Sequence, residues 1–169
     1  MQRFAIVWVA ALAGCTAADN AAAPREDIVA AAYPEAEAEV QAVLDDIQLA
    51  VRENDMDRLI AHHAYGPKFS DFQDGRERTG STENEANERG FFGQATKVNR
   101  FDYVDPKISV YGDVAVATLH PDVSLEFGPE TVETQRQLTL VFARTADGWK
   151  IVHEHNSPLI AAEDRMPPG

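Results

Sequence analysis

Two histidines, His153 and His155, stand two residues apart in the run Trp149-Lys150-Ile151-Val152-His153-Glu154-His155. On a strand, residues two apart share a face, so both imidazoles are expected beside Trp149 and Ile151. With Asp147-Gly148 as a two-residue turn, His153 falls opposite Phe142 and His155 opposite Leu140. Imidazoles on an apolar face can serve as acid, base or polar anchor, because burial and one carboxylate bring their pKa near working pH. A structural pair that only bonds carbonyls has the same spacing. Asp71, two residues after Phe69, is the candidate carboxylate partner, its other reading being a solvated turn residue.

Four further side chains are ligand-binding candidates. Tyr65 and Tyr103 offer hydroxyls. His120 ends a strand before Pro121, on the face of Val114, Val116 and Thr118. Arg136 starts a strand with Leu138, Leu140 and Phe142 on its face, where it can hold a carboxylate bidentately or pair with Glu133. His63, on the apolar side of a helix, reads as a satisfied core histidine. No metal centre is expected: zinc needs three or four converging ligands, and His-x-His supplies two. No cofactor is expected either, Gly-rich phosphate loops being absent, and without a Gly-x-Ser-x-Gly elbow nucleophilic catalysis has little support.

The elements that must position these residues read as helices first and strands after. Pro34, Glu35 and Glu37 suit a helix opening. Val40, Val43, Leu44, Ile47 and Val51 then form one apolar stripe at helical spacing. Asn54-Asp55 breaks this helix, and Asp55 can cap a second one carrying Met56, Leu59, Ile60 and His63. A short strand is expected around 68–72. The polar stretch 73–89 has room for a turn or two of helix at 81–89, and with Phe91-Phe92 it could form a lid. From Val98 the period changes to two, giving strands at 100–104, 108–111, 114–120, 123–127, 135–144 and 149–155. The expected class is α+β, helices packed on one face of a curved antiparallel sheet.

The chain has 169 residues with 15 Lys+Arg against 28 Asp+Glu, a net charge of −13. That length suits one domain with one core. The acidic balance argues against nucleic acid, whose binders need a basic face to displace counterions. It also disfavours direct adsorption to anionic lipid, and one cysteine cannot form an internal disulfide.

Residues 1–14 read as a secretory signal: a basic start, then the apolar run Phe4 to Ala13, too short to span a bilayer. Leu12-Ala13-Gly14-Cys15 resembles the bacterial lipobox, which implies lipidation of Cys15 after cleavage; ordinary cleavage after Ala13 and a buried N-terminus are the alternatives. The resemblance implies a membrane contact through the lipid alone and a place in the bacterial cell envelope, or secretion. Residues 15–33 are an Ala-rich tether, 34–160 the domain, and 161–169 a flexible tail.

The ending Ala146-Asp147-Gly148-Trp149-Lys150-Ile151-Val152-His153-Glu154-His155 is similar to the closing hairpin of SnoaL-like domains in the nuclear transport factor 2-like superfamily. Asn54 to Leu59 resembles the family's second helix, Phe69 to Phe72 its first strand, and Tyr111-Gly112-Asp113-Val114-Ala115-Val116 a later one. The resemblance covers about 35–158. It implies a cone-shaped, cystatin-like sheet wrapped around the helices, a pocket inside the cone and homodimerisation through the outer sheet face. The superfamily holds ligand binders, isomerases, cyclases, dehydratases and association modules, so fold alone leaves function open. The first expectation is a binder of a small, largely apolar molecule. The alternatives are an acid–base enzyme using His153, His155 and Asp71, and a dimeric association module. An enzyme should place at least two titratable groups in one cavity within hydrogen-bond reach.

Overall fold

The computed structural model describes residues 26–160. The signal, Cys15, most of the tether and the tail fall outside the described residues. Helix α1, Pro34–Glu53, turns the apolar stripe into a buried face of Ala36, Val40, Leu44, Ile47, Ala50 and Val51. It stops at Asn54, whose left-handed backbone (φ 55°) returns its N–H to the carbonyls of Ala50 and Val51. Helix α2, Met56–Ile60, is only five residues long, and the Asp55 carboxylate caps it by accepting from the Arg58 N–H at 3.0 Å. Its brevity makes His63 a loop residue, held by a β-bridge to Ile151.

Five strands follow: β1 Ser70–Gln73, β2 Lys97–Tyr111, β3 Val114–Phe127, β4 Glu130–Thr145 and β5 Gly148–Pro158. Their order across the sheet is β1-β5-β4-β3-β2. The sheet is mixed rather than wholly antiparallel, because β1 arrives from the helices and pairs parallel to β5. The expected breaks near 105–107 and at Pro121 prove to be irregularities inside long strands. β2 carries bulges at Asn99 and at Asp105-Pro106, and β3 runs on through Pro121. Bulges bend a sheet, and this curved sheet closes over α1. Phe101, Leu119, Val123, Leu125, Leu140, Phe142, Trp149 and Ile151 form the core with the α1 stripe.

The polar stretch after β1 holds a full helix, α3, Ser81–Phe91, followed by a 3-10 turn at Phe92–Gln94. Gly80 N–H donates to Glu83 Oε2 at 3.3 Å, and Ser81 Oγ exchanges hydrogen bonds of 2.8 and 3.0 Å with the backbone of Gly66. These contacts fix the start of α3 against the loop carrying His63. The sequence shows little apolar periodicity here because α3 turns polar residues inward.

One irregularity overturns the expected orientation of the two histidines. The closing turn is centred on Ala146-Asp147, with Thr145 opposite Gly148, one residue earlier than expected. Phe142 then pairs with Ile151 but Val141 with His153, so Val152 is an extra residue, a bulge. A one-residue slip exchanges the two faces of a strand. Trp149 and Ile151 point inward before the bulge; beyond it Glu154 points inward, opposite Leu140, while His153 and His155 stand on the other face.

Candidate functional site

Between α3 and the inner face of the sheet lies a cavity of about 390 Å³. Its apolar walls come from α1 and α2 (Ile47, Leu59), α3 and its 3-10 extension (Phe91, Phe92), and the sheet (Phe101, Tyr103, Val123, Leu138, Leu140, Ile151). Its polar lining includes His63, Asp71, Asn84, Glu88 and Glu154. A concave apolar site with a few convergent polar groups is the usual composition of a ligand pocket.

The polar groups form one connected set. His63 Nε2 lies 2.7 Å from Glu154 Oε1 and 3.5 Å from Glu88 Oε1. Its Nδ1 faces the Ile60 carbonyl at 3.3 Å. Tyr65 stacks on the imidazole with ring centroids 4.8 Å apart, and Phe69 meets both rings edge-on. The Tyr65 hydroxyl donates to Asn84 Oδ1, which leaves Asn84 Nδ2 to donate to Glu154 Oε2 at 3.3 Å. Glu154 therefore has both oxygens engaged, whereas Glu88 Oε2 is buried without a partner.

Burial and charge move these groups in different directions. For His63, burial alone would lower the pKa, but the hydrogen bond and charge of Glu154, with the charge of Glu88, outweigh it and raise it to about 9. Burial first, and then the Glu154 charge, push the Glu88 carboxyl up to about 8. At neutral pH His63 is thus an imidazolium and Glu88 a neutral carboxyl, with the Glu154 charge acting on both. Burial followed by the carboxylates Glu88 and Glu154 likewise raises the Tyr65 phenol, and burial followed by Glu154 and Glu88 raises that of Tyr103. Both hydroxyls stay protonated as donors. One ligand atom from each of His63, Glu88 and Glu154 lies within 4.8 Å of the others, so they are also the described residues best gathered to hold a cation. The 2.7 Å hydrogen bond already joins two of them.

The residues singled out in the sequence divide between the two faces of the sheet. Asp71 and Tyr103 line the cavity, and Asp71 is only 4% exposed, not a solvated turn residue. Tyr65 supports the set from behind. Arg136 lies at the cavity edge with its guanidinium already engaged, pairing with Asp74 and donating to Asn156 Oδ1 at 2.6 Å. Asp74, not Glu133, is its ion-pair partner. His153 and His155, the acid–base candidates of the sequence reading, do not line the cavity. His153 Nδ1 lies 2.9 Å from both the hydroxyl and the carbonyl of Ser70. His155 shares a shallow outer groove with His120, Asp105 and Lys107. Glu154, Glu88 and Asn84 were not anticipated. Glu154 was hidden by the bulge, while Glu88 and Asn84 sat in a stretch without helical periodicity. The one available signal was the polarity of 81–89 immediately before Phe91-Phe92.

Residues 40–161 match the SnoaL-like domain family, most of the chain. The chain belongs to that family. Among solved structures, a candidate dehydratase of the NTF2-like family from Streptomyces avermitilis is similar at 23% identity and TM-score 0.67, covering 76% of this chain and 100% of that one. An NTF2-like protein of unknown function from Pseudomonas putida follows at 21% identity and TM-score 0.62, with 81% and 100% covered. An NTF2-like protein with a cystatin-like fold from Novosphingobium aromaticivorans gives 17% identity and TM-score 0.59, with 77% and 86% covered. At these identities the likeness is one of fold. No curated protein matches the sequence.

Proposed function

We propose that this SnoaL-like domain is an acid–base enzyme acting on a small, largely apolar molecule: it removes a proton from carbon and expels hydroxyl as water, a dehydratase-type elimination. The observation that carries this reading is a single imidazole nitrogen, His63 Nε2, within 2.7 Å of Glu154 and 3.5 Å of Glu88 on the wall of one cavity. Glu154, ionised and steadied by His63 and Asn84, takes the proton from carbon. Glu88, held neutral, gives its proton to the departing hydroxyl, and the carbon–carbon double bond forms as water leaves. His63 Nε2 then passes a proton to Glu88 and receives one from Glu154, which restores the starting state. A pure binder has no need of two carboxyl groups held in opposite protonation states, and so the enzyme reading is preferred. The structurally similar candidate dehydratase from Streptomyces avermitilis supports this reading.

The test uses 5-nitrobenzisoxazole, whose ring opens when a base removes its C–H proton. General acid–base groups contribute about 10²–10⁴-fold, so the wild-type chain should accelerate opening well above buffer, and Glu154→Gln should remove most of that acceleration. Equal rates for wild type and Glu154→Gln, with both folded, would refute the assignment.

The envelope location is also a proposal. It rests on the lipobox-like Leu12-Ala13-Gly14-Cys15 and predicts that radiolabelled palmitate enters the wild-type chain in a bacterial host but not Cys15→Ser. Homodimerisation through the outer sheet face is proposed on the family resemblance, and light scattering on the purified chain checks it.

A further inference from the structure

The proposed proton relay leaves one buried titratable group unused. Asp71 is 4% exposed and lines the cavity. It sits directly abreast of Glu154 on the neighbouring parallel strand, so two carboxyl groups share one face at strand spacing. Glu154 has His63 as its cation; Asp71 meets neutral donors, the Thr79 hydroxyl at 3.2 Å and the Asn84 side chain. The other cavity cations are committed or exposed. His63 faces Glu154 and Glu88, Arg136 is taken by Asp74 and Asn156, and Arg76 is exposed at the rim. A buried carboxyl beside a carboxylate costs free energy unless it is neutralised by a proton or by a cation. Burial, and then the Glu154 charge, raise its pKa accordingly. Phe91, Phe92, Phe101 and Tyr103 line the same cavity, and aromatic rings attract cations.

We propose that Asp71 anchors a protonated amine, so that the ligand class of this cavity is a small organic cation whose apolar body lies against the aromatic walls. This rests on the cavity being the working site of the proposed enzyme and adds its substrate class. An ammonium beside Asp71 supplies the missing positive charge and donates to the carboxylate. A ligand carboxylate in the same place meets the carboxyl groups of Asp71 and Glu154, and Arg76 lies exposed at the cavity rim. The chain's net charge of −13 also favours approach of cations over anions.

The test is calorimetric titration of the purified chain with 2-phenylethylamine, 2-phenylethanol and phenylacetate, which share one apolar body. The amine should bind about tenfold or more tighter than the alcohol, as expected for a desolvated charge pair, with phenylacetate weakest and the amine's advantage shrinking as salt rises. Asp71→Asn, shown folded by circular dichroism, should bind amine and alcohol alike. The affinity order of the wild-type chain needs no variant. An alcohol or carboxylate binding as tightly as the amine would overturn the proposal. So would the absence of amine binding, uptake of zinc ion in its place, or an amine preference that survives Asp71→Asn. Turnover of nitrobenzisoxazole is measured separately, so the acid–base reading and the amine reading can each fail alone.

Discussion

The two faces of β5 carry similar side chains in opposite circumstances. On the outer face His155 is exposed beside His120, Asp105 and Lys107, and His153 meets Ser70. On the inner face Glu154 is 9% exposed and His63 is 8% exposed, with Glu88 and Asp71 close by. There each protonation state depends on its neighbours, because Coulomb interactions weaken far less in a buried site than in solvent. Residue type is therefore a poor guide to chemistry here, and burial a good one. The single bulge at Val152 decides which of the consecutive residues His153, Glu154 and His155 enters the cavity.

The contrast can be broken most severely at Glu154. Glu154→Gln should lower nitrobenzisoxazole turnover by about 10²-fold or more. Glu88→Gln should cost less and should change the pH profile. In the wild type, turnover falls as pH rises through about 8, where the neutral Glu88 carboxyl ionises. Rates measured from pH 6 to 10 should lose that limb in Glu88→Gln.

Stability offers a third test, with its sign set by the folded-state shifts. Glu88 keeps its proton to about 8 in the folded chain against 4.5 unfolded, and His63 to about 9 against 6.5. Between each pair of values the folded state binds more protons, so stability falls as pH rises. Each contribution is complete below the lower value and lost by the upper one. The melting temperature should fall from mildly acidic pH to about 9, and Glu88→Gln should flatten the earlier part of the fall. On the acid side, Asp46, whose pKa the Arg58 hydrogen bond lowers against the opposing effect of burial, sets an opposite trend. A melting temperature flat from pH 5 to 9 would contradict the assigned charges.

The smallest effects belong to the outer face. His155→Ala, at an exposed position, should change both stability and turnover by no more than about twofold. His153→Ala should leave turnover similarly unchanged, although loss of its contacts with Ser70 would loosen the β1 edge.

Much of the architecture was legible because it rests on strong local signals. The stripe of α1, the Asp55 cap and the change from helical to strand period each follow from backbone chemistry. The closing hairpin and its family resemblance supplied the curved sheet and the pocket. The parallel pairing of β1 was not legible, since it depends on where the helices deliver the chain. The site was half legible. Asp71 and Tyr103 could be found because they lie on short stretches of clean alternation. His63 was seen but read as core, and its partners Glu154, Glu88 and Asn84 come from three different elements. Their meeting is set by a one-residue bulge and by a helix whose inner face is polar, neither of which leaves a periodic trace.

The central claim is that Glu154, His63 and Glu88 share protons within one cavity. Its most direct test is a pH titration of the histidine side chains by long-range proton–nitrogen NMR, with His63 assigned through His63→Gln. The account predicts an imidazolium that persists well above the ordinary histidine range, with a midpoint near 9, and whose midpoint moves down in Glu154→Gln. A His63 ring titrating near 6.5, or one indifferent to the loss of the Glu154 charge, would contradict it.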